Sequence, residues 1–551
     1  MNNYSQENSQ LSVVAPSGVK GLVPTRMQGW EKLGDGFEFV VDLVTQAGNP
    51  IEFRQFLEKP MVVVLALPGN ATRYFHGDVF KASVKGSLGD FNKYSVTLRP
   101  RIARLALIKR SRVYQNQNVK QILESVLEAV GGAEFQITRH LDNRLYCVQY
   151  RETDLEFFRR ICSEAGLTYY WKHTLEDHRL VITSNTSECE SEGIVAFDPY
   201  VGGTITNPTV WEWETEQELV NSRVDIRDSH HELSSKTIES NVSLFDRLTV
   251  GEVSLELPQA KAPTQADSQS IARNFDLFNA SGGFTGSSQG AWFDAQEDQT
   301  RLMAIAATSR AVRARATGNA AHLQPGKSFL LEGLRGQNGS WVVVGQNHEC
   351  HVEGKMDERD SFVLRVESRL EAAPLALQQL CWPPVRRPEV AVVLTARVTG
   401  PEGAETFVDP LGRIKIKFDW EREGATDGTS SCWVRVSQFW AGKSYGAFFW
   451  PRIGHEVLVA FEDGNPDRPI VIGSLYNIVN VPPCELPACS FISGVKSKLQ
   501  GDLTGMKFQQ IILSDDPTSP ILHFHSDTQI LMHQNREQQS TVPDSSFRML
   551  G

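Results

Sequence analysis

Residues Asp409–Trp420, DPLGRIKIKFDW, and Ser431–Asn477, SCWVRVSQFWAGKSYGAFFWPRIGHEVLVAFEDGNPDRPIVIGSLYN, decide the reading of the fold. Ile414, Ile416 and Phe418 alternate with Arg413, Lys415 and Lys417. Cys432, Val434 and Val436 alternate with Trp433, Arg435 and Ser437, and Val457, Val459 and Phe461 make a third stripe. Period-two alternation marks strands with one buried face. Pro410-Leu411-Gly412, Ala441-Gly442, Pro451 and Asp463-Gly464-Asn465-Pro466 punctuate the stripes as turns. Short strands joined by tight turns predict a small closed barrel of the OB type. The register predicts Ile414, Ile416 and Phe418 facing inward and Arg413, Lys415 and Lys417 facing outward from the barrel. Ile416→Asp is then severe and Lys415→Asp mild.

The whole chain has 551 residues, too many for one core, so several domains are expected. Hydrophobic residues make up 40%, which suits folded domains rather than disorder. A net charge of −11 argues against nucleic acid as a partner, because no basic surface is available to neutralise phosphates. No apolar run reaches membrane-span length. The start, MNNYSQENSQ, lacks the basic region and apolar core of a secretory signal, so synthesis and folding in the cytoplasm are expected. Eight scattered cysteines without a CxxC pair read as reduced and mostly buried. Cys484 and Cys489, the close pair, match no zinc spacing.

Outward from the barrel, the first part of the chain reads as mainly β with some α. EFVVDLV, MVVVLAL and the alternating Tyr94–Leu98 are strand-like. Asn118 with Gln121 forms a capping box for a helix whose stripe is Val119, Ile122, Leu123, Val126, Leu127 and Val130, stopped by Gly131. Thr153 with Glu156 opens a second helix, with Leu155, Phe158, Ile161, Cys162 and Ala165 as the stripe and Gly166 as the stop. The Gly/Ser-rich Asn279–Gly290 reads as a loop, and a third helix is predicted from near Asp294 to Ser309. SFLLEG and WVVVG return to strands. Pro383, Pro384 and Pro388, with Arg386 and Arg387 between, read as a stiff linker.

Several of these stretches carry a resemblance. WVRV, the WAG turn, PRIG-EV-V-F and G-PDRP-I-GS-YN resemble the spike-base barrel of VgrG proteins, the tip proteins of type VI secretion. RYFHGDVF (Arg73–Phe80), YSVTLRPRIARL, SRVYQNQNV, CVQYRETDLEFFRRICSEAGLTYYW (Cys147–Trp171) and LQPGKSFLLEG with Thr317-Gly318 before it resemble the hub of the same family. The resemblance runs in order through nearly the whole chain up to Lys498. It implies a multidomain chain. Residues 1–380 form a phage-hub-like domain of two β-barrel sections with intervening helices. Residues 381–400 form a Pro-rich linker and entry strand, 401–478 an OB-fold spike base, and 479–551 a shortened β-prism and polar tail. It also implies a homotrimer whose hub matches a hexameric, Hcp-like tube protein. The prism carries a PAAR-repeat cap. Effector or adaptor proteins and baseplate components are further partners, and a target membrane is touched transiently during contraction. The implied role is structural, with no enzyme activity and no cofactor, and export needs no signal peptide. PPCELP, SGVKSK, IILSDD and ILHFHSD read as the start of the prism, and REQQSTVPDSSFRMLG as a frayed end. Neither a fused effector nor an inserted lysozyme is expected from the lengths involved.

Three readings from other classes are weighed against this. A contractile phage tail or tailocin hub would carry a similar fold. Gly442–Gly446 matches GxSxG, so a cell-wall hydrolase with Ser444 as nucleophile is the enzymatic alternative, although Pro451 argues against the helix this motif needs. An OB-type oligosaccharide or nucleic-acid binder is the third. His523 and His525, two apart on a strand, are the candidate metal ligands, because three chains would place six imidazoles around an axis. His348-Glu349-Cys350-His351 reads as ordinary strand surface and core. Arg99, Arg101, Arg104, Lys109, Arg110 and Arg112 read as a solvated face or an inter-subunit contact. Asp154 and Glu156 read as helix-capping groups. Trp420, Trp433, Trp440 and Trp450 read as packing within and between subunits rather than stacking on sugars.

Overall fold

The structure is a computed structural model that describes residues 9–46, 51–67, 71–200, 208–221, 223–233, 237–244, 247–250, 253–256, 263–267, 289–353, 363–377, 385–502 and 506–531. Most of the stretch read as a loop after Asn279, Pro383 and Pro384, and the polar end after Leu531 lie outside these residues.

Six antiparallel strands form the first β section, in the spatial order Leu11–Val14, Pro60–Ala66, Thr72–Leu88, Phe91–Arg99, Phe37–Gln46 and Val23–Lys32. Phe37, Phe39, Val41, Phe75 and Leu98 point into one core. The last strand then pairs with Gly339–Glu353, which joins this section to the second. The second section closes on itself. Gly339–Glu353, Ser328–Glu332, Ser191–Phe197, Thr209–Gln217, Val312–Gly318 and Val363–Pro374 follow one another around a ring back to Gly339–Glu353. Closure leaves no unpaired edge in that ring. Trp341, Phe329, Leu331 and Val343 fill it.

Both capped helices form where the sequence places them. Helix Val119–Leu127 has Asn118 accepting from the Gln121 backbone, and helix Asp154–Glu164 has Thr153 accepting from Glu156, each a complete capping box. Gly131 and Gly166 follow with φ of 90° and 62°, conformations that favour glycine. The second helix is buried more widely than its stripe predicts: Phe157, Asp154, Arg160 and Glu164 are also buried. The third helix runs Gln289–Thr308, a turn earlier than predicted, so Gln289 and Gly290 are helical rather than loop. The fully buried Trp292, edge-on to His230 at 4.8 Å, is the packing that overrides the local glycine.

The third barrel has the strand order Lys415–Phe418, Leu394–Thr399, Glu456–Phe461, Pro469–Leu475 and Arg435–Val436. The bridge Ile414↔Val434 joins the two ends. Ile414, Ile416, Phe418, Val434, Val457 and Val459 form its core, as the alternation predicts. Arg413 and Lys415 lie on the face opposite this core, but the expectation that Lys415 tolerates aspartate is wrong, because that face is covered. Both are buried, Arg413 at 1% and Lys415 at 3% exposure, whereas Lys417 is half-buried. Arg413 pairs with Asp409 at 2.7 Å and Glu232 at 3.1 Å. Lys415 donates to the Ser431 carbonyl at 2.7 Å and lies over the Trp433 ring. A second layer therefore covers the face that alternation alone marks as polar.

Candidate functional site

RYFHGDVF brings two polar groups into the core of the first section. Arg73 Nη2 donates to Glu31 Oε1 at 2.5 Å, and His348 Nε2 lies 2.8 Å from the same oxygen. His173 Nε2 is 3.7 Å from Glu31 Oε2. All four side chains are buried. His76 Nδ1 meets His178 Nδ1 at 2.8 Å, and the Arg101 N–H donates to His178 Nε2 at 2.9 Å. Neutral His178 therefore carries its proton on Nδ1 and donates it to His76. Burial would raise the Glu31 carboxyl, but Arg73 and His348 hold it down at about 2. Burial, with Arg73 next, pushes His173 down to about 3 and depresses His348, His76 and His178 as well.

These histidines stay neutral in the fold and bind protons more readily unfolded, so their stability is present above the ordinary value of 6.5 and falls below it. Glu31 stabilises the fold above 4.5, and that contribution is lost as pH falls toward about 2. Glu192 and Glu421, both raised to about 7 by burial, oppose them by favouring the fold as pH falls from about 7. The four histidines outnumber these two carboxyls. Thermal unfolding at pH 5 is expected at a lower midpoint than at pH 7; an equal or higher midpoint contradicts the neutral assignment.

The two hub-like sections and the third barrel meet through the most recognisable motifs. The Val148 N–H, in strand Asn143–Thr153, donates to Asp467 Oδ1 of the PDRP turn at 2.7 Å. The Val148 carbonyl accepts from Arg160 Nη2 at 2.9 Å. Arg160, fully buried, also pairs with Glu152 at 2.5 Å and Glu164 at 3.4 Å. Glu164 takes Arg144 at 2.8 Å and Arg387 of the linker at 2.6 Å. Tyr146, Val148, Tyr150 and Val390 pack beside Trp420 and Phe461. The basic cluster stays partly solvent-exposed, with its arginines paired to acids of the same chain. Arg99 pairs with Glu38, Arg101 with Asp177, Arg104 with Asp78, Arg110 with Asp154 and Arg112 with Glu423, the last across this junction. Asp154 thus does more than compensate the helix dipole.

Beyond the third barrel, strands Ile492–Lys496, Gln509–Ser514 and Ile521–Ser526 form an antiparallel sheet in which no residue is buried. Cross-strand register puts Val495, Ile511 and Phe524, with Leu513 and Leu522, on one face. Each is 46–61% exposed. His523 and His525 stand on the opposite face, opposite Ile512 and Gln510. His525 Nε2 lies 3.3 Å from Asp527 Oδ1. Among the described residues no cluster of three or more potential metal donors exists, so a metal there would need donors from several chains. His348 and Cys350 are buried, and His348 is engaged by Glu31. Ser444 sits at a hairpin tip with φ of 63°, and extended chain rather than a helix follows it, so the nucleophile-elbow geometry is absent at that residue. Trp433 is buried and Trp420 stacks on Phe418, whereas Trp440 and Trp450 are exposed.

Comparison with known proteins gives this architecture a family. The profile described as phage tail baseplate hub (GPD) matches residues 30–353. The profile for the type VI secretion system/phage-baseplate injector OB domain matches residues 404–476. Spike protein VgrG1a of the type VI secretion system of Pseudomonas aeruginosa is 32% identical over 532 residues, covering 94% of this chain and 77% of that protein. The chain belongs to the VgrG spike-protein family. Its fold is also that of an E. coli component of type VI secretion described as similar to the T4 bacteriophage tail proteins gp27 and gp5. That likeness has a TM-score of 0.57 and 19% identity, and covers 85% of this chain and 100% of that one. A chain of a Francisella PdpA–VgrG complex aligns with a TM-score of 0.56 at 9% identity, over 94% of this chain and 88% of that one. The hub profile spans most of the two joined β sections, and the OB-domain profile spans most of the third barrel. Among the described residues no helix is long and apolar enough to cross a membrane.

Proposed function

We propose that this VgrG acts as a non-enzymatic homotrimeric tip. A hexameric, Hcp-like tube protein sits against the hub, and a PAAR-repeat cap, effectors or adaptors are carried at the spike end. Baseplate components hold the trimer before firing. Assembly is cytoplasmic, export is by contraction, and contact with the target membrane is transient.

The observation that carries this reading is the terminal sheet. Its face of Val495, Ile511, Leu513, Leu522 and Phe524 is apolar and open. A small sheet draws its stability from burying an apolar face, and an apolar face left this exposed marks an interaction surface. Three copies turned face inward supply the missing core. That orientation points His523 and His525 outward, so it favours no metal at the axis. The Francisella complex, in which a VgrG protein is bound to PdpA, supports the expectation of a protein partner. Light scattering after gel filtration is expected to give three times the chain mass; a monomer overturns the proposal.

A further inference from the structure

Between Arg435–Val436 and Glu456–Phe461 the chain leaves the third barrel as a hairpin. Ala441–Gly442 pairs with Tyr445–Gly446, and Gln438 clips the base: its amide donates to the Phe449 carbonyl at 3.3 Å and accepts from the Phe449 N–H at 2.9 Å. The Ala447 N–H donates to the Trp440 carbonyl at 2.9 Å. On this fixed frame stand Phe439, Trp440, Tyr445, Phe448, Phe449 and Trp450, each between 44% and 82% exposed. Phe439 stacks on Phe449, Trp440 meets Tyr445 edge-on, and Phe448 lies against Trp450. Lys443 is the one charged residue from Gln438 to Trp450. Six preorganised aromatics lose little entropy on burial, and a contiguous apolar patch of this kind marks an interface.

The surroundings select the occupant. Arg452, two residues past the hairpin, donates to the Lys498 carbonyl at 2.7 Å, and Arg452 and Gly501 share Glu405. Asn480 donates to the Gly454 carbonyl, and Asn477 to Glu456. The hairpin exit is therefore stitched to the segment holding the exposed Tyr476, Ile478 and Val479, and to the connection after the first strand of the terminal sheet. Hairpin and sheet are thus held together, and the sheet is the part whose open face calls for further copies of this chain. An anionic membrane surface is a poorer match for a chain of net charge −11 whose hairpin has a single lysine.

Resting on the trimer proposed above, we propose that the hairpin Gln438–Trp450 packs against the neighbouring copy of this chain and locks the spike bases together. The test is the full chain carrying Trp440→Ser and Phe449→Ser. Both side chains are exposed, so far-UV circular dichroism should match the parent. Sedimentation across a dilution series is expected to show trimer association weakened by about thirtyfold or more, the scale of hot-spot aromatics. A trimeric parent with a variant of equal association overturns the hairpin alone. A monomeric parent overturns the trimer and the hairpin together. Flotation with phosphatidylcholine–phosphatidylglycerol vesicles separates the membrane case: binding by the parent, lost in a variant that stays trimeric, overturns the inter-copy role.

Discussion

Lys415→Asp is expected to unfold the third barrel nearly as completely as Ile416→Asp. Ile416 lies in the barrel core, paired in register with Val398, and a carboxylate there has no partner. Lys415 lies on the other face, yet only 3% of it reaches solvent. Its ammonium donates to the Ser431 carbonyl and sits 4.5 Å from the Trp433 ring centroid. An aspartate loses the cation–π contact and turns a negative charge toward a carbonyl oxygen in a desolvated layer. The cost for either substitution is about 3–5 kcal/mol, the range for an uncompensated buried charge. Lys417→Gln is the matched control, because Lys417 is half-buried, and it is expected to cost under about 1 kcal/mol. Urea unfolding of the three purified variants checks this. A Lys415→Asp midpoint equal to the parent's would restore the expectation of a mild effect.

That reversal shows what alternation can and cannot say. Period two separates Ile414, Ile416 and Phe418 from Arg413, Lys415 and Lys417, and the inner set is the core. It carries no information about what lies over the outer set. Arg413 is covered by Glu232 from a segment far away in sequence, and only the folded chain brings them together. The basic residues from Arg99 to Arg112 teach the same lesson, since their acidic partners come from strands and loops that no local pattern connects. Local signals did better. The two capping boxes are complete within four residues, so Asn118 and Thr153 announce their helices directly. The helix at Gln289 starts early because Trp292 finds a buried place beside His230, a tertiary effect. The family resemblance pointed to Cys147–Trp171 and to the PDRP turn as separate motifs. Their meeting at Val148 and Asp467 is a structural fact. Likewise, Arg73 and His76 stand within one motif, but their burial against Glu31 and His178 is not legible in it.

Arg160→Met is expected to loosen the hub and the spike base at once. Arg160 is fully buried and joins Glu152, Glu164 and the Val148 carbonyl. Removing it strands Glu152, which burial already pushes upward against the pull of Arg160. Glu164 keeps Arg144 and Arg387, so Glu152 takes most of the penalty. Breaking a buried pair from one side costs about 3–5 kcal/mol. Val148 also gives its N–H to Asp467, so disorder in the strand reaches the PDRP turn of the barrel directly. Adding Glu152→Gln removes the stranded charge and is expected to recover a large part of the loss, which a double-mutant cycle in urea would measure. Hydrogen exchange at Val148 should rise in Arg160→Met and fall again in the double variant. A double variant no more stable than Arg160→Met would assign the loss to packing of the arginine stem over Phe157, where its guanidinium now lies 5.1 Å from the ring centroid, rather than to charge.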